Sequence, residues 1–441
     1  MGTKTLFTGA IQALIARYSL KRVFVAVSGG IDSMCLIACL NELKHNLINC
    51  APFDFSAVTI DHSLRDESQE EAYKTSMYLK SKGIDSVVIK WDHKQDSKLI
   101  KNMHQKARDA RYSLLIEYCR KKNVDCLLTA HNKDDQAETV IMRIMRGSGV
   151  DGIAGIPSIC KRSEVKIIRP FLEFSRAQIE SVYKEIGWDY FVKDPSNENP
   201  KYTRASIRAQ LKKYLDDNKY IELINRLALL AENAKRAKDF LHNVTVDTLS
   251  AICKTSELGV ISMNIQKFIH LHEEIRLRLL VHILRSVSGM QHPPRLNSIK
   301  LLDTQICSIE CLSDRTLAGC QIVQHLEVLV FFREKSKITQ DKQHLMLGDN
   351  IWDKRFLIHV NQKVGDNLIK ELYVKCITSE MLKDEEINWN LFEPRKYCKV
   401  ILHSTPGVFY KGKLVSHISV TNKNLDRECN FIAENILVRY L

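Results

Sequence analysis

The stretch that decides the fold is "FVAVSGGIDSMCL", residues 24–36. Residues 24–27 are all apolar and predict a buried strand, and the apolar pattern after position 33 predicts a helix. The hexapeptide between them consists of Ser28, Gly29, Gly30, Ile31, Asp32 and Ser33. Glycine tolerates positive φ and lets a bulky group approach the backbone, so successive N–H groups can point inward. With the positive end of the following helix and two hydroxyls, the turn predicts a nest for a phosphate or pyrophosphate.

The carboxylate inside this turn limits which ligands the turn can bind. Asp32 would repel bound phosphates unless a cation lay between them, so we expect Mg²⁺ to be held there with the triphosphate of ATP. The turn matches neither GxxxxGK[ST] nor GxGxxG, the two commoner phosphate-binding patterns. An ordinary strand-to-helix turn with a polar cap is the simpler alternative.

Strand and helix patterns alternate from about residue 20 to 195. Predicted strands cover 22–27, 56–62, 85–91, 125–131 and 165–172, and predicted helices cover 67–82, 98–122, 133–146 and 175–187. This alternation predicts an α/β fold with a doubly wound parallel sheet, in which ligands lie beyond the carboxyl ends of the strands.

Two polar motifs stand at such strand ends. "IDHSLR" (60–65) places Asp61 and His62 where they could meet the adenosine of a nucleotide. "TAHNKDDQAET" (129–139) places His131 before a helix on which Asp135 and Glu138 share a face, being three residues apart. Two carboxylates this close repel each other unless they bind a metal or an ammonium group. A solvated first helical turn would explain the same acidic residues more simply.

Three arginines are further candidates. Arg111 lies on a predicted helix that could face the site, although a surface salt bridge is an ordinary role for a lone arginine. Arg204 and Arg208 are four residues apart in "KDPSNENPKYTRASIR" (193–208), so one helix face would carry both and could hold phosphates.

Beyond the α/β region the chain is basic and changes character. It has 441 residues and a formal net charge of +13, which indicates several domains and raises the prior for a nucleic-acid partner. Helical patterns cover 220–250 and 270–288, a hairpin pattern covers 316–332, and 345–441 mixes short elements. We therefore expect a catalytic domain over 1–215, a mainly helical domain over 216–335 and a small α+β domain over 345–441. No apolar run reaches the length of a membrane-spanning helix, no signal peptide is recognisable, and the thirteen scattered cysteines include no CxxC, so we expect a cytoplasmic protein.

The motifs, in this order, resemble those of the tRNA(Ile)-lysidine synthase family, part of the PP-loop superfamily of N-type ATP pyrophosphatases. They read SGGIDS, DHSLR, TAHNKDDQAET, RGSGVDGIAGI, RPFL and DPSNENPKYTRASIR. Asn132 stands where that family usually has a second histidine, and Ala205 where it often has asparagine.

The resemblance implies an enzyme that adenylylates C2 of the wobble cytidine of the CAU-anticodon isoleucine tRNA and then joins free L-lysine to that carbon. It implies that the loop at 28–33 and Asp61 with His62 bind ATP, that Asp32, His131, Asp135 and Glu138 are catalytic, and that Arg111, Asp135 and Glu138 bind lysine. It also implies that Arg204 and Arg208 touch tRNA, and it leaves a homodimer open. The rivals are a PP-loop tRNA 2-thiolase, an amidotransferase-type synthetase and a non-catalytic RNA-binding protein with an ATP-binding fold.

Overall fold

The structure is a computed structural model in two compact units, residues 1–239 and 240–441. It describes residues 3–45, 53–61, 63, 67–91, 103–193, 203–290, 292–308, 312–338, 341–378, 386–387, 395–418, 420–421, 429 and 436–440. Each unit is described by itself.

The first unit is built on a six-stranded sheet. Its strands are β1 (Arg22–Ala26), β2 (Asp54–Asp61), β3 (Ser86–Lys90), β4 (Cys126–Leu128), β5 (Ile159–Arg162) and β6 (Val165–Ile168). The strand order is β3-β2-β1-β4-β6-β5, and all neighbours are parallel except the edge pair β5–β6. The parallel sheet predicted from the sequence is therefore confirmed, with β5 as an antiparallel edge strand that the sequence did not predict.

Nine helices accompany this sheet in the described part of the first unit. They are α1 (Thr3–Arg17), α2 (Ile31–His45), α3 (Ser68–Ser81), α4 (Met103–Lys121), α5 (Lys133–Met145), α6 (Val150–Ile153), α7 (Arg176–Ile186), α8 (Thr203–Tyr214) and α9 (Asp217–Ile252), the last of which continues into the second unit. Helix α2 is buried from Ser33 through Leu40 because it packs against α1 and α7 as well as the sheet. A helix covered on several sides is apolar all round, which explains the unbroken run after Asp32.

The second unit contains antiparallel sheets as well as helices. Its further helices are α10 (Ile265–Ile269), α11 (Glu273–Ser288), α12 (Leu296–Cys307), α13 (Gly365–Ile369) and α14 (Cys398–Leu402). One five-stranded sheet joins β7 (Cys253–Thr255), β8 (Ile261–Asn264), β9 (Arg315–Leu317), β10 (Cys320–His325) and β11 (Val328–Arg333) in the order β7-β8-β11-β10-β9. Helix α11 lies on this sheet and contributes Leu280, Ile283 and Leu284 to its core.

The C-terminal part adds three small sheets. Its strands are β12 (Gln343–His344), β13 (Gly348–Trp352), β14 (Phe356–Val360), β15 (Leu372–Cys376), β16 (Glu386–Ile387), β17 (Pro406–Tyr410), β18 (Lys413–Ser416), β19 (Val420–Thr421) and β20 (Ile436–Tyr440). Their orders are β12-β15-β17-β18, β13-β14-β20 and β16-β19.

The sequence-based reading of the later chain was right about the helices and the hairpin at 316–332, but it did not anticipate that β7 and β8 would extend that hairpin into a sheet. The boundaries 215/216 and 335/345 stay predictions. Within the described segments, no helix combines the length and the apolar character needed to cross a membrane.

Candidate active site

The turn at residues 28–33 is shaped by Gly29. Its φ is +83°, and a Cβ placed on it would lie 2.8 Å from Thr75 Oγ1 and 2.9 Å from Val192 Cγ2. The Gly29 carbonyl also accepts a hydrogen bond of 2.9 Å from the Val192 N–H. Both the backbone angle and the surrounding space therefore require glycine at this position.

Hydroxyls inside the turn hold its ends together. Ser33 Oγ donates to the Gly30 carbonyl at 2.8 Å and accepts the Ser28 N–H at 3.2 Å, and the two serine hydroxyls are 3.3 Å apart. The hydroxyl proton of Ser33 is therefore used in a hydrogen bond within the turn. Helix α2 begins inside this turn, at Ile31, so the free N–H groups of its first turn lie at the predicted phosphate nest.

Asp32 lies partly buried beside this nest, and one of its two carboxylate oxygens lacks a hydrogen-bond partner in the described residues. Its Oδ1 is inaccessible to solvent and has no hydrogen-bond partner in the described residues. Burial, together with the charge of Asp135, raises the pKa of Asp32 to about 6, although Arg176 opposes the shift. An orphaned carboxylate oxygen next to a phosphate nest fits a hard divalent cation such as Mg²⁺. No geometry of such an ion follows from these residues.

Asn132 and Asp135 begin helix α5 as a reciprocal cap. Asn132 Oδ1 accepts the Asp135 N–H at 2.9 Å, and Asp135 Oδ2 accepts the Asn132 N–H at 3.1 Å. This is a capping box, and it explains how asparagine serves at the position where the resembling family usually has histidine. Ala205, the other departure, is buried in α8.

The two arginines of α8 contact the two carboxylates of α5. Arg208 Nε and Nη2 donate to Glu138 Oε1 at 2.8 and 2.6 Å. Arg204 Nη1 lies 3.4 Å from Asp135 Oδ1, and its Nη2 donates to Thr139 Oγ1 at 3.1 Å. Two of the residues predicted for lysine, Asp135 and Glu138, therefore form one cluster with the two residues predicted for tRNA.

His131 lies at the same strand end in a strongly basic setting. Its Nδ1 is 3.1 Å from Thr129 Oγ1 and its Nε2 is 3.5 Å from Arg108 Nη2. Burial first, and then the charges of Arg169 and Arg108, lower the pKa of His131 to about 3, although Asp135 opposes them. The imidazole is neutral at pH 7 and too weak a base to retain a proton there.

Asp61 is engaged within its own turn. Its Oδ1 accepts from the Ser63 N–H at 2.8 Å and from Ser68 Oγ at 2.9 Å, and its Oδ2 accepts from Ser63 Oγ at 3.1 Å. Burial alone would raise the pKa of Asp61, but these hydrogen bonds outweigh it and the pKa is lowered. A contact with adenosine stays a prediction, and its partner His62 lies outside the described residues.

The arginines near the site differ in part from those expected. Arg111 is half-buried on α4, and its contact with lysine stays a prediction. Arg108, one turn earlier, is the residue of that helix that approaches His131. Arg176 also escaped the sequence analysis: its N–H donates to Asp134 Oδ2 at 2.9 Å, and its charge acts on Asp32. A local sequence signal could have located Arg176, because Ser175 and Gln178 form a capping box that places it in the first turn of α7.

Several known proteins are similar to this chain over most of its length. A family model for the PP-loop domain matches residues 4–215. A tRNA(Ile)-lysidine synthase from Wolbachia pipientis wMel is 36% identical over 400 residues, which are 89% of this chain and 90% of the relative. The enzyme of the same name from the Wolbachia of Brugia malayi (strain TRS) is 33% identical over 92% of this chain and 90% of the relative. That from Anaplasma marginale (strain St. Maries) is 31% identical over 81% of this chain and 75% of the relative.

Proposed function

We propose that this chain, which belongs to the tRNA(Ile)-lysidine synthase family, joins free L-lysine to C2 of the wobble cytidine in CAU-anticodon isoleucine tRNA. ATP is the second substrate and is cleaved to AMP and pyrophosphate. The observation that carries the proposal is the 36% identity over nine-tenths of both chains with a named lysidine synthase. The clustering of the phosphate nest, Asp32 and the acidic start of α5 supports it independently.

The first step is adenylylation of the base. The C2 oxygen of cytosine attacks the α-phosphorus of ATP and pyrophosphate leaves. Backbone N–H groups of the turn at 28–33 and the N-terminus of α2 would hold the phosphates, where fixed donors stabilise developing charge at no reorganisation cost. Asp32 would hold Mg²⁺, which supplies neutralisation of phosphate charge.

The second step is displacement by an amine. The ε-amine of lysine attacks C2, the C2–O bond to AMP breaks, and a new C–N bond completes lysidine. The amine must lose a proton, and a carboxylate of the Asp135–Glu138 pair is the better acceptor because His131 has a pKa of about 3. Arg111 is proposed to pair with the carboxylate of lysine.

The tRNA is proposed to be held by basic surfaces. The net charge of +13 suits a polyanion, and anticodon bases can be exposed without the cost of leaving a duplex. The domains predicted over 216–335 and 345–441 are proposed to grip its backbone. A cytoplasmic location and an optional homodimer remain predictions.

One assay tests the proposal. The protein is incubated with ATP, radiolabelled lysine and unmodified CAU isoleucine tRNA, with elongator methionine tRNA as the matched control. We expect label in the isoleucine tRNA alone, with one AMP formed per lysine. Sulfur transfer from a thiol donor, or tRNA binding without AMP formation, would instead support one of the rivals.

A further inference from the structure

Glu138 is the most enclosed acidic side chain of the site. It is 1% exposed, and its two oxygens have different surroundings. Oε1 accepts both hydrogen bonds from Arg208. Oε2 is inaccessible to solvent and has no partner within the described part of the chain. A buried carboxylate oxygen without a donor is costly, so its persistence at a reactive site indicates that a ligand supplies the donor.

Arg208 itself is tied to this carboxylate. Its side chain is 22% exposed, and its Nε and Nη2 both donate to Glu138 Oε1. Turning Arg208 outward to a phosphate would leave Glu138 charged, buried and unpaired, which in proteins is strongly destabilising. Arg204 differs, because it lies 3.4 Å from Asp135 and its side chain is 36% exposed.

We propose that Arg208 is a positioning residue that fixes Glu138 through Oε1 and keeps it ionised, so that Oε2 receives an ammonium group of the substrate lysine. The inference rests on the proposed function and deepens it. It also separates Arg208 from Arg204, which stays the candidate for a tRNA phosphate.

The electrostatics of the cluster agree with this role. The pKa of Glu138 is raised, because burial outweighs the charge and hydrogen bonds of Arg208, which lower it; Asp135 raises it further and Arg204 lowers it. Burial first, and then the charges of Asp134 and Glu138, raise the pKa of the Tyr220 phenol to about 12. Arg208 is therefore the strongest favourable partner of the ionised form. Without it, Glu138 would take up a proton at a higher pH.

The test compares Arg208→Gln and Arg208→Lys with Lys213→Gln, which removes one positive charge from an exposed position on the same helix. We expect Arg208→Gln to raise KM for lysine at least about tenfold, because Glu138 would lose the two charge-assisted hydrogen bonds that hold its carboxylate in place. The acid limb of the lysine-dependent rate should move to higher pH, and Arg208→Lys should restore most of that shift. The salt dependence of tRNA binding should match that of Lys213→Gln. Circular dichroism and thermal melting identify variants that fail to fold, and Arg208→Lys then carries the test.

The sign of the change in KM distinguishes positioning from blocking. If Arg208 merely occupied the lysine site, its removal would lower KM for lysine, and that result would overturn the proposal. An unchanged KM with weaker tRNA binding and a smaller salt dependence would do the same, because it would return Arg208 to the phosphates.

Failure of the proposed function is seen separately, as absence of lysine incorporation by the unmodified protein. In that case calorimetry with lysine alone decides: binding that is lost in Arg208→Gln supports the positioning role, and no binding to the unmodified protein refutes it.

Discussion

Buried carboxylates in the two units of this protein have different partners. In the second unit, Asp353 uses both oxygens: Arg333 donates to Oδ1 and Oδ2, each at 3.1 Å, and Arg355 donates to Oδ2 at 2.7 Å. Asp303 likewise accepts from Arg276 with both oxygens, at 2.8 and 3.0 Å. In the first unit, Asp32 and Glu138 each keep one buried oxygen without a partner in the described residues.

This difference separates carboxylates that stabilise the fold from carboxylates that have an oxygen available to a ligand. A carboxylate such as Asp353, whose two oxygens both accept from arginines, is satisfied without a ligand, and removing it leaves buried arginines without their counter-charge. A carboxylate such as Asp32 carries an uncompensated burial cost, which a bound cation would offset. Neutralising the two kinds should therefore change stability in opposite directions.

The largest expected effect is on the second unit. Asp353→Asn removes the counter-charge of Arg355, whose side chain is fully buried, and should lower the free energy of unfolding by about 3–5 kcal/mol. Urea denaturation followed by the fluorescence of the buried Trp352 would measure it. Asp349→Asn is the control, because its pair with His359 is exposed and should be worth less than about 1 kcal/mol. Equal losses in both variants would contradict the structural role of the cluster.

Asp32→Asn should have the opposite effect on stability. The raised pKa of about 6 means that the folded state holds this proton more tightly than the unfolded chain, whose value is near 3.8. The ionised group therefore costs the fold stability above pH 6, by about 3 kcal/mol, and nothing below pH 3.8. Asparagine should raise the melting temperature at pH 7, and this gain should disappear as the pH falls towards 4.

The same variant should be catalytically impaired. We expect AMP formation to fall about 100–1,000-fold, the size seen when one charge-stabilising group is removed from an active site. Asp303→Asn serves as the matched control, since it should lower stability and leave AMP formation per folded molecule unchanged. An Asp32→Asn enzyme that is less stable and still forms AMP at the normal rate would contradict both expectations.

A smaller effect is expected from the backbone of the nucleotide turn. Gly29→Ala places a Cβ against Thr75 and Val192 at positive φ, whereas Gly83→Ala meets positive φ of +76° with nothing within 4 Å. Left-handed strain alone should cost Gly83→Ala about 1–2 kcal/mol. Gly29→Ala should lose about 1–3 kcal/mol more through overlap and should also raise KM for ATP. Thermal unfolding and ATP titration of both variants separate strain from overlap, and equal behaviour would show that the close approach at Gly29 is unimportant.

The parallel sheet could be predicted because its strands are short apolar runs followed by helical patterns. Strands β1, β3, β4 and β6 fall within the predicted segments, and β2 begins two residues before the segment predicted for it. The edge strand β5, "ICKR", was missed because it has neither alternation nor an apolar run, and its pairing depends on the register with β6. Strand β8 does alternate between buried and partly buried residues, but it has only four residues, and its pairing with β7 and β11 is not a local pattern.

The active site was predictable where its residues are close in sequence. The turn at 28–33 and the shared helix face of Asp135 and Glu138 are local patterns that physical rules recognise. The pair of Glu138 and Arg208 spans 70 residues, and no spacing rule places α8 against α5. The sequence could therefore name both residues but assigned the arginine to tRNA and the carboxylate to lysine, without their mutual contact.

The smallest expected effect concerns the other arginine of α8. Arg204→Gln removes a charge that is only loosely attached to Asp135, so stability should change by less than about 1 kcal/mol. If Arg204 contacts a phosphate, tRNA affinity should fall by about tenfold or less, and the slope of log affinity against log salt should decrease by about 1. Filter binding between 50 and 200 mM salt would measure this, with Arg208→Gln as the comparison. Arg204 and Arg208 share a helix face but differ in how closely they contact a carboxylate. Equal changes in slope for the two variants would show that this difference does not decide which arginine contacts tRNA.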